Sequence, residues 1–153
     1  MRLTKKKRMS NIKDLEKSIG VEFSNKGLLE VAVTHRSYLN ENRNVPEHNE
    51  RLEFLGDAVL ELIVSNFLYT KYPERAEGEL TSFRSALVRT DSLAQTAKAL
   101  SLGDHLRLSR GEEDSGGRDK DYLLANTFEA ILGAIYIDKG YEECKSFVER
   151  SLL

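Results

Sequence analysis

The chain has 153 residues, 40% of them hydrophobic and 31% charged, with a formal net charge of −2. That length suits one domain with its own core, and no apolar run is long enough to span a membrane. The charge lacks the basic excess that usually accompanies phosphate binding, so a polyanion partner must be held by local basic loops, by bound cations or by another domain.

Residues 1–10 begin Met-Arg-Leu-Thr-Lys-Lys-Lys-Arg, basic but followed by no apolar stretch, so they are no secretory signal. Two readings of this arm stay open, a disordered solubilising segment or an arm that touches nucleic acid. The remainder, 11–153, reads as one domain. A short helix is expected over 11–19, ended by Gly20 in the left-handed conformation. A second is expected over 25–38, with Leu28, Leu29, Ala32 and Val33 as its apolar stripe. The prolines Pro46 and Pro73 then bracket 47–72, where nothing breaks a helix. This predicts a central helix of up to about 26 residues, roughly 39 Å long. Its first half carries the stripe Leu52, Leu55, Val59 and Ile63. In its second half Val64 and Leu68 make it apolar nearly all round, which predicts burial.

Residues 79–100 read as one long helix closed by Gly103. From Leu108 to Asp121 runs a flexible Gly- and charge-rich loop. Residues 121–138 form an amphipathic helix with Leu124, Phe128, Ile131, Leu132 and Ile135 on one stripe, and 141–152 form the last. No alternating pattern argues for a sheet, so the fold class is all-α.

Glu50, Glu53 and Asp57, three and four residues apart, share a sector of the central helix about 60° wide. On 121–138, Asn126 and Glu129 lie on one side with Gly133 and Ala130, small residues that let a neighbouring helix approach closely. If that neighbour is the central helix, Glu53, Asp57, Asn126 and Glu129 converge. Their hard oxygens suit Mg²⁺, or Mn²⁺ as a substitute. On spacing alone, the solvated polar faces of two amphipathic helices account for the same residues. Phe54 points away from the apolar stripe, either a stray exposed aromatic or a dimer contact. The loop offers backbone amides with Arg110 and Arg118 to a phosphate, a weak signal. His35, His48 and His105 form no ligand spacing and read as structural or surface residues. The single cysteine, Cys144, excludes an internal disulfide framework and fits a reducing cytoplasm.

The stretch Glu-Arg-Leu-Glu-Phe-Leu-Gly-Asp-Ala at 50–58 resembles the signature of the ribonuclease III family. Thr-His-Arg-Ser-Tyr at 34–38, Glu-Gly-Glu-Leu-Thr at 77–81, Arg-Ser-Ala-Leu-Val at 84–88, Ser-Gly-Gly at 115–117 and Phe-Glu-Ala-Ile-Leu-Gly-Ala-Ile-Tyr at 128–136 follow in family order. The resemblance implies a homodimeric all-α nuclease domain that cuts double-stranded RNA with a divalent metal and no small-molecule cofactor. Staggered cuts with 5′-phosphate and 3′-hydroxyl ends, in the processing of ribosomal and messenger RNA, go with it. Carried over, Glu53, Asp57 and Glu129 are the main metal ligands, and Glu50 and Glu77 are accessory acids of the catalytic valley. Phe54 becomes the aromatic that plugs into the partner, and Ser115, Gly116 and Gly117, flanked by Arg110 and Arg118, lie near the RNA backbone. One position departs: Asn126 stands where the family usually has Asp. An amide oxygen still ligates but brings no charge, so weaker metal affinity is expected. The alternative is a catalytically weak relative that only holds duplex RNA. The family's usual double-stranded-RNA-binding domain is absent from these 153 residues.

Overall fold

The computed structural model describes residues 11–153; the basic arm at 1–10 lies outside them. Among the described residues there are eight α-helices and no strand. These are α1 (Ile12–Ile19), α2 (Lys26–Ala32), α3 (Glu50–Lys71), α4 (Glu77–Leu87), α5 (Thr90–Ala99), α6 (Arg110–Asp114), α7 (Asp121–Lys139) and α8 (Tyr141–Ser151). None is long and apolar enough to cross a membrane.

The organising element is α7. Its expected stripe of Leu124, Phe128, Ile131, Leu132 and Ile135 is wholly buried, and Ala130 and Ala134 on its other sides are buried too. Helices α2, α3, α5 and α8 surround it. Phe128 stacks on Phe147 of α8 with ring centroids 5.4 Å apart. Packing of this kind, rather than helix propensity, supplies most of the stability of such elements. Burial pushes the Cys144 thiol up to about 12, which leaves it an inert core residue.

Two buried carboxylates pin the amino-terminal helices. Asp138, at the end of α7, accepts the amides of Ser24 and Asn25 at 2.8 and 2.9 Å, just before α2 begins. Glu16 of α1 accepts the Phe23 amide at 2.7 Å and the Lys26 ammonium at 2.9 and 2.7 Å. Gly20 ends α1 at φ 70, as its position predicts.

Four expected helix limits move: the end of 25–38, the continuity of 79–100, the role of Gly103 and the start of the central helix. The helix expected over 25–38 stops at Ala32. Val33 and His35 exchange backbone hydrogen bonds with Arg107, an isolated bridge, and residues Arg36–Asn40 form a 3₁₀ turn. The expected 79–100 helix is two, α4 and α5, broken at Val88 and Arg89. The Ser92 hydroxyl donates back to the Ala86 carbonyl at 2.9 Å and holds that corner. Gly103 is no helix stop. A Cβ there would collide with the carbonyl of Arg118, and it is Ser101 that takes positive φ.

The central helix begins at Glu50, three residues later than expected. Asn49 fixes that start: its amide N–H donates to the Thr34 carbonyl at 2.9 Å and its side chain to the Ala32 carbonyl at 3.1 Å. The second half of α3 is not buried on every face either. Val64 and Leu68 are buried, but Leu62 and Tyr69 are 57% and 74% exposed. With Phe54, 83% exposed, they form an apolar stripe beside the carboxylate sector.

Candidate active site

Helices α3 and α7 cross with their backbones in contact at two glycines. A Cβ on Gly56 would collide with the Glu129 carbonyl, and one on Gly133 with the Leu52 carbonyl. This crossing brings the two sequence segments together. Glu129, half-buried, shares a hydrogen bond with Asp57 and feels the charges of Asp57, Glu53 and Glu61. Desolvation first, and then Asp57 and these carboxylates, push its pKa up to about 8. Glu53 is raised by desolvation and by its neighbours Glu50 and Asp57. Two carboxyls within hydrogen-bond reach do not both ionise without compensation, so one keeps a proton.

Among the described residues no three His, Cys, Asp or Glu side chains already surround a common point as ligands. Glu129 stands within hydrogen-bond reach of Asp57 and is held toward its protonated form. The donor set nevertheless fits a hard divalent cation: carboxylate oxygens, one amide, and a like-charge cost that a cation would remove. Asn126 lies one turn before Glu129 on α7, half-buried, its amide without a hydrogen bond to the described residues.

The accessory acids separate. Glu50 is exposed at the start of α3, 3.6 Å from Arg36, and acts on Glu53. Glu77 opens α4 and lines a hollow of about 490 Å³ with Leu62, Ser65, Asn66, Leu68, Tyr69, Leu80, Thr81 and Arg84. It is not among the groups that shift Glu129 or Glu53. Glu61 is an acid that the spacing argument passed over. It acts on Glu129 and pairs with Arg84 at 3.0 Å. Its place eight residues after Glu53 and four after Asp57, on the same face, was the available signal.

The loop expected to be flexible is ordered. Ser109 caps α6 by accepting the Glu112 amide at 3.1 Å, and Lys120 bonds Glu112 at 2.8 Å and Ser115 at 3.1 Å. Arg110 and Ser115 are exposed, and nothing within 4 Å crowds Gly116. Arg118 is differently employed. Its guanidinium donates to Glu113 at 3.0 and 3.3 Å and to the carbonyls of Gly103 and Leu106 at 3.0 and 2.7 Å. Gly117 is buried against Glu112, where a side chain would clash. The loop therefore presents Arg110, Ser115 and Gly116 outward and uses Arg118 and Gly117 as its internal support.

A family model described as ribonuclease-III-like matches residues 25–153. "Ribonuclease 3" of Streptococcus agalactiae serotype Ia is 50% identical over 141 residues, 91% of this chain and 61% of the relative. "Ribonuclease 3" of a Geobacillus species is 50% identical over 147 residues, 95% of this chain and 60% of the relative. This chain thus spans about three-fifths of the length of such relatives. A solved nuclease domain of ribonuclease III from Campylobacter jejuni superposes with a TM-score of 0.87 at 44% identity, covering 93% of this chain and 96% of that one. That domain has a region involved in dimer formation. Shared sequence over most of the chain and a shared fold over nearly all of it lead to one conclusion: the chain belongs to the ribonuclease-III-like family.

Proposed function

We propose that this chain is the catalytic part of a metal-dependent endoribonuclease. It hydrolyses double-stranded RNA to 5′-phosphate and 3′-hydroxyl ends, in the processing of ribosomal and other RNA in the cytoplasm. The observation that carries this reading is the acid cluster at the α3/α7 crossing, where Asp57 and Glu129 meet and Glu53 and Glu61 add charge. Such crowding costs free energy unless a cation is taken up. Glu53, Asp57, Asn126 and Glu129 would hold Mg²⁺, with Mn²⁺ as a substitute. The cation, when bound, lowers the pKa of water and neutralises charge on the phosphate.

The chain's own part is positioning. The glycine contacts at Gly56 and Gly133 fix α3 against α7, so the carboxylates stand on two rigid elements rather than on loops. With its pKa raised to about 8, Glu129 would have to give up a proton to serve as a ligand, so cation affinity would rise with pH. Glu50 and Glu77 serve as accessory acids near the scissile phosphate. Arg110, Ser115 and Gly116 approach the RNA backbone, and Gly117 and Arg118 brace that loop from within.

The apolar stripe supports a homodimer. Phe54 projects from one end of it, and the hollow walled by Leu62, Ser65 and Tyr69 lies further along the same helix. A twofold axis lets each copy place Phe54 in the other's hollow, an isologous arrangement. Two acid clusters then face one duplex, one per strand, which gives staggered cuts.

Incubation with end-labelled duplex RNA, with Mg²⁺ and with chelator, tests the reading. Metal-dependent fragments bearing 5′-phosphates are expected, and Glu129→Gln should abolish them while leaving fold and dimer intact. Cleavage that survives chelation or this substitution would refute the assignment.

A further inference from the structure

His35 lies outside the acid cluster, yet its ring is held with unusual definition. Its Nδ1 is 2.8 Å from the Ser37 hydroxyl and accepts the Ser37 amide N–H at 3.2 Å. The same hydroxyl oxygen accepts the Ser109 amide N–H at 3.0 Å. A hydroxyl has a single proton to give. Because Nδ1 accepts the Ser37 amide N–H it carries no proton, and the Ser37 hydroxyl donates its own to it. The ring's own N–H is on Nε2.

Burial keeps the ring's pKa below the usual histidine value. Glu112 and Glu50 pull it up, whereas Arg36 and His48 push it down. The ring is only half-buried, and Nε2 is neither enclosed nor bonded to a described residue. Contacts on either side of it place it at the start of α3, one turn before Glu53: the Asn49 amide donates to the Thr34 carbonyl at 2.9 Å, and Arg36 lies 3.6 Å from Glu50. The Ser37 hydroxyl ties it to Ser109, the cap of α6, the short helix that leads into the Ser-Gly-Gly turn. The free N–H is thus a neutral donor at the rim of an acidic valley, between the acid cluster and the ordered loop.

Resting on the nuclease reading above, we propose that His35 donates its Nε2–H to a ribose 2′-hydroxyl of the bound RNA and so discriminates ribose from deoxyribose beside the cleavage site. Arg36, beside it in sequence, is turned to Glu50 at 3.6 Å. A phosphate oxygen would accept the same N–H, and the 2′-fluoro duplex, which keeps every phosphate, separates the two acceptors. A neutral N–H is matched by a neutral oxygen acceptor, and the 2′-hydroxyl is the group by which a protein distinguishes RNA from DNA. Ser37 and Ser109 are the positioning residues: by occupying Nδ1 they fix which nitrogen donates.

The test uses two variants and two substrates. His35→Asn keeps an acceptor where Nδ1 stood, so the Ser37 contact survives, but it has no donor at the Nε2 position. His35→Gln reaches that position with an amide N–H. The substrates are an all-ribose duplex and one carrying 2′-fluoro residues across the cleavage window, which keep the A-form pucker but lack the hydroxyl. Single-turnover cleavage in Mg²⁺ is measured with each, together with duplex binding in chelator.

One hydrogen bond corresponds to about a 2- to 12-fold effect. Wild type should lose that factor on the 2′-fluoro duplex. His35→Asn should lose it on the all-ribose duplex and no more on the other, and His35→Gln should recover most of it. Equal impairment of Asn and Gln variants, or unchanged 2′-fluoro discrimination in His35→Asn, overturns the proposal. If wild type cuts neither duplex but its binding shows the same His35-dependent discrimination, the nuclease reading fails and this contact stands. Binding indifferent to the 2′ group removes the contact whatever becomes of the nuclease reading.

Discussion

The α3/α7 crossing makes a quantitative demand on Gly56. A methyl group there would have to occupy the space of the Glu129 carbonyl, with the carbonyl carbon and the Gly133 amide nitrogen also inside contact distance. These are backbone atoms in the middle of a buried helix, so no flexible side chain can yield. Gly56→Ala must therefore push the helices apart. Overpacking of a well-filled interior costs about 1–3 kcal/mol, which at about 1.4 kcal/mol per decade shifts the folding equilibrium roughly 5- to 150-fold. The helix-propensity gain of Ala over Gly, about 1 kcal/mol, offsets part of this.

The larger effect is on the site, because the displaced residue is Glu129 itself. A misplacement of about 1 Å costs on the order of 100-fold in rate. Urea unfolding and single-turnover cleavage of duplex RNA should thus disagree in scale, with a modest loss of stability and a large loss of rate. Gly111→Ala is the control, since no atom stands within 4 Å of a Cβ added there; its stability should be unchanged or slightly raised. A Gly56→Ala variant as active as wild type would refute the view that this close approach sets the carboxylate geometry.

Three other outcomes are expected. Burial tends to raise the pKa of Glu16, but Lys26, the Phe23 amide and Lys13 outweigh it and leave it below its usual 4.5. The folded state therefore prefers the charged form, so this carboxylate's stabilisation is present above about pH 4.5 and is lost as pH falls through the lower folded value. Glu16→Gln should cost about 2 kcal/mol near neutrality, and urea titrations of the two proteins should converge in acid; a gap independent of pH would contradict this. Phe54→Ala removes an exposed aromatic and should weaken dimerisation about 30- to 700-fold, the range for an anchor worth about 2–4 kcal/mol. Sedimentation equilibrium checks it, with an unchanged dissociation constant as the adverse result. Asn126→Asp adds a carboxylate beside Asp57 and Glu129 and should lower the Mg²⁺ concentration needed for half-maximal cleavage; no improvement at limiting Mg²⁺ would mean that the amide is no handicap.

Much of this was legible in the residue pattern, and the reason is physical. Periodicity reports burial on one helix face, so the stripes of α3 and α7 and the carboxylate sector could be read directly. Gly133 and Ala130 signalled a close helix contact before any partner was known, and Gly56 supplied its other half. What pattern could not report were the long-range backbone bonds. Thr34 and His35 have helical neighbours in sequence, yet the bridge to Arg107 and the demand of Asn49 for the Thr34 carbonyl draw them out of α2. The break at Val88 is also unannounced, since no proline or glycine marks it and a local bond from the Ser92 hydroxyl to the Ala86 carbonyl closes the corner.

The same distinction sorts the candidate site. The carboxylates that the crossing joins, Glu53, Asp57 and Glu129, share helix-face spacings readable in the sequence, and Glu61 could have been added by extending that spacing one more turn. Loop residues could not be sorted by spacing. Arg118 looked like a free cation, yet it is consumed by two carbonyls and Glu113. The ring of His35 is held through Ser37, whose hydroxyl also meets Ser109, 72 residues further on, a contact no local pattern announces. A charge written in a sequence is a potential donor; whether it is available depends on which carbonyls the fold delivers to it. For this chain that delivery is made by segment 33–41 and its bonds to 107–110, which join the acid cluster's edge to the loop expected to meet RNA. Loosening that seam, and not only removing an acid, should therefore change how the valley treats its substrate.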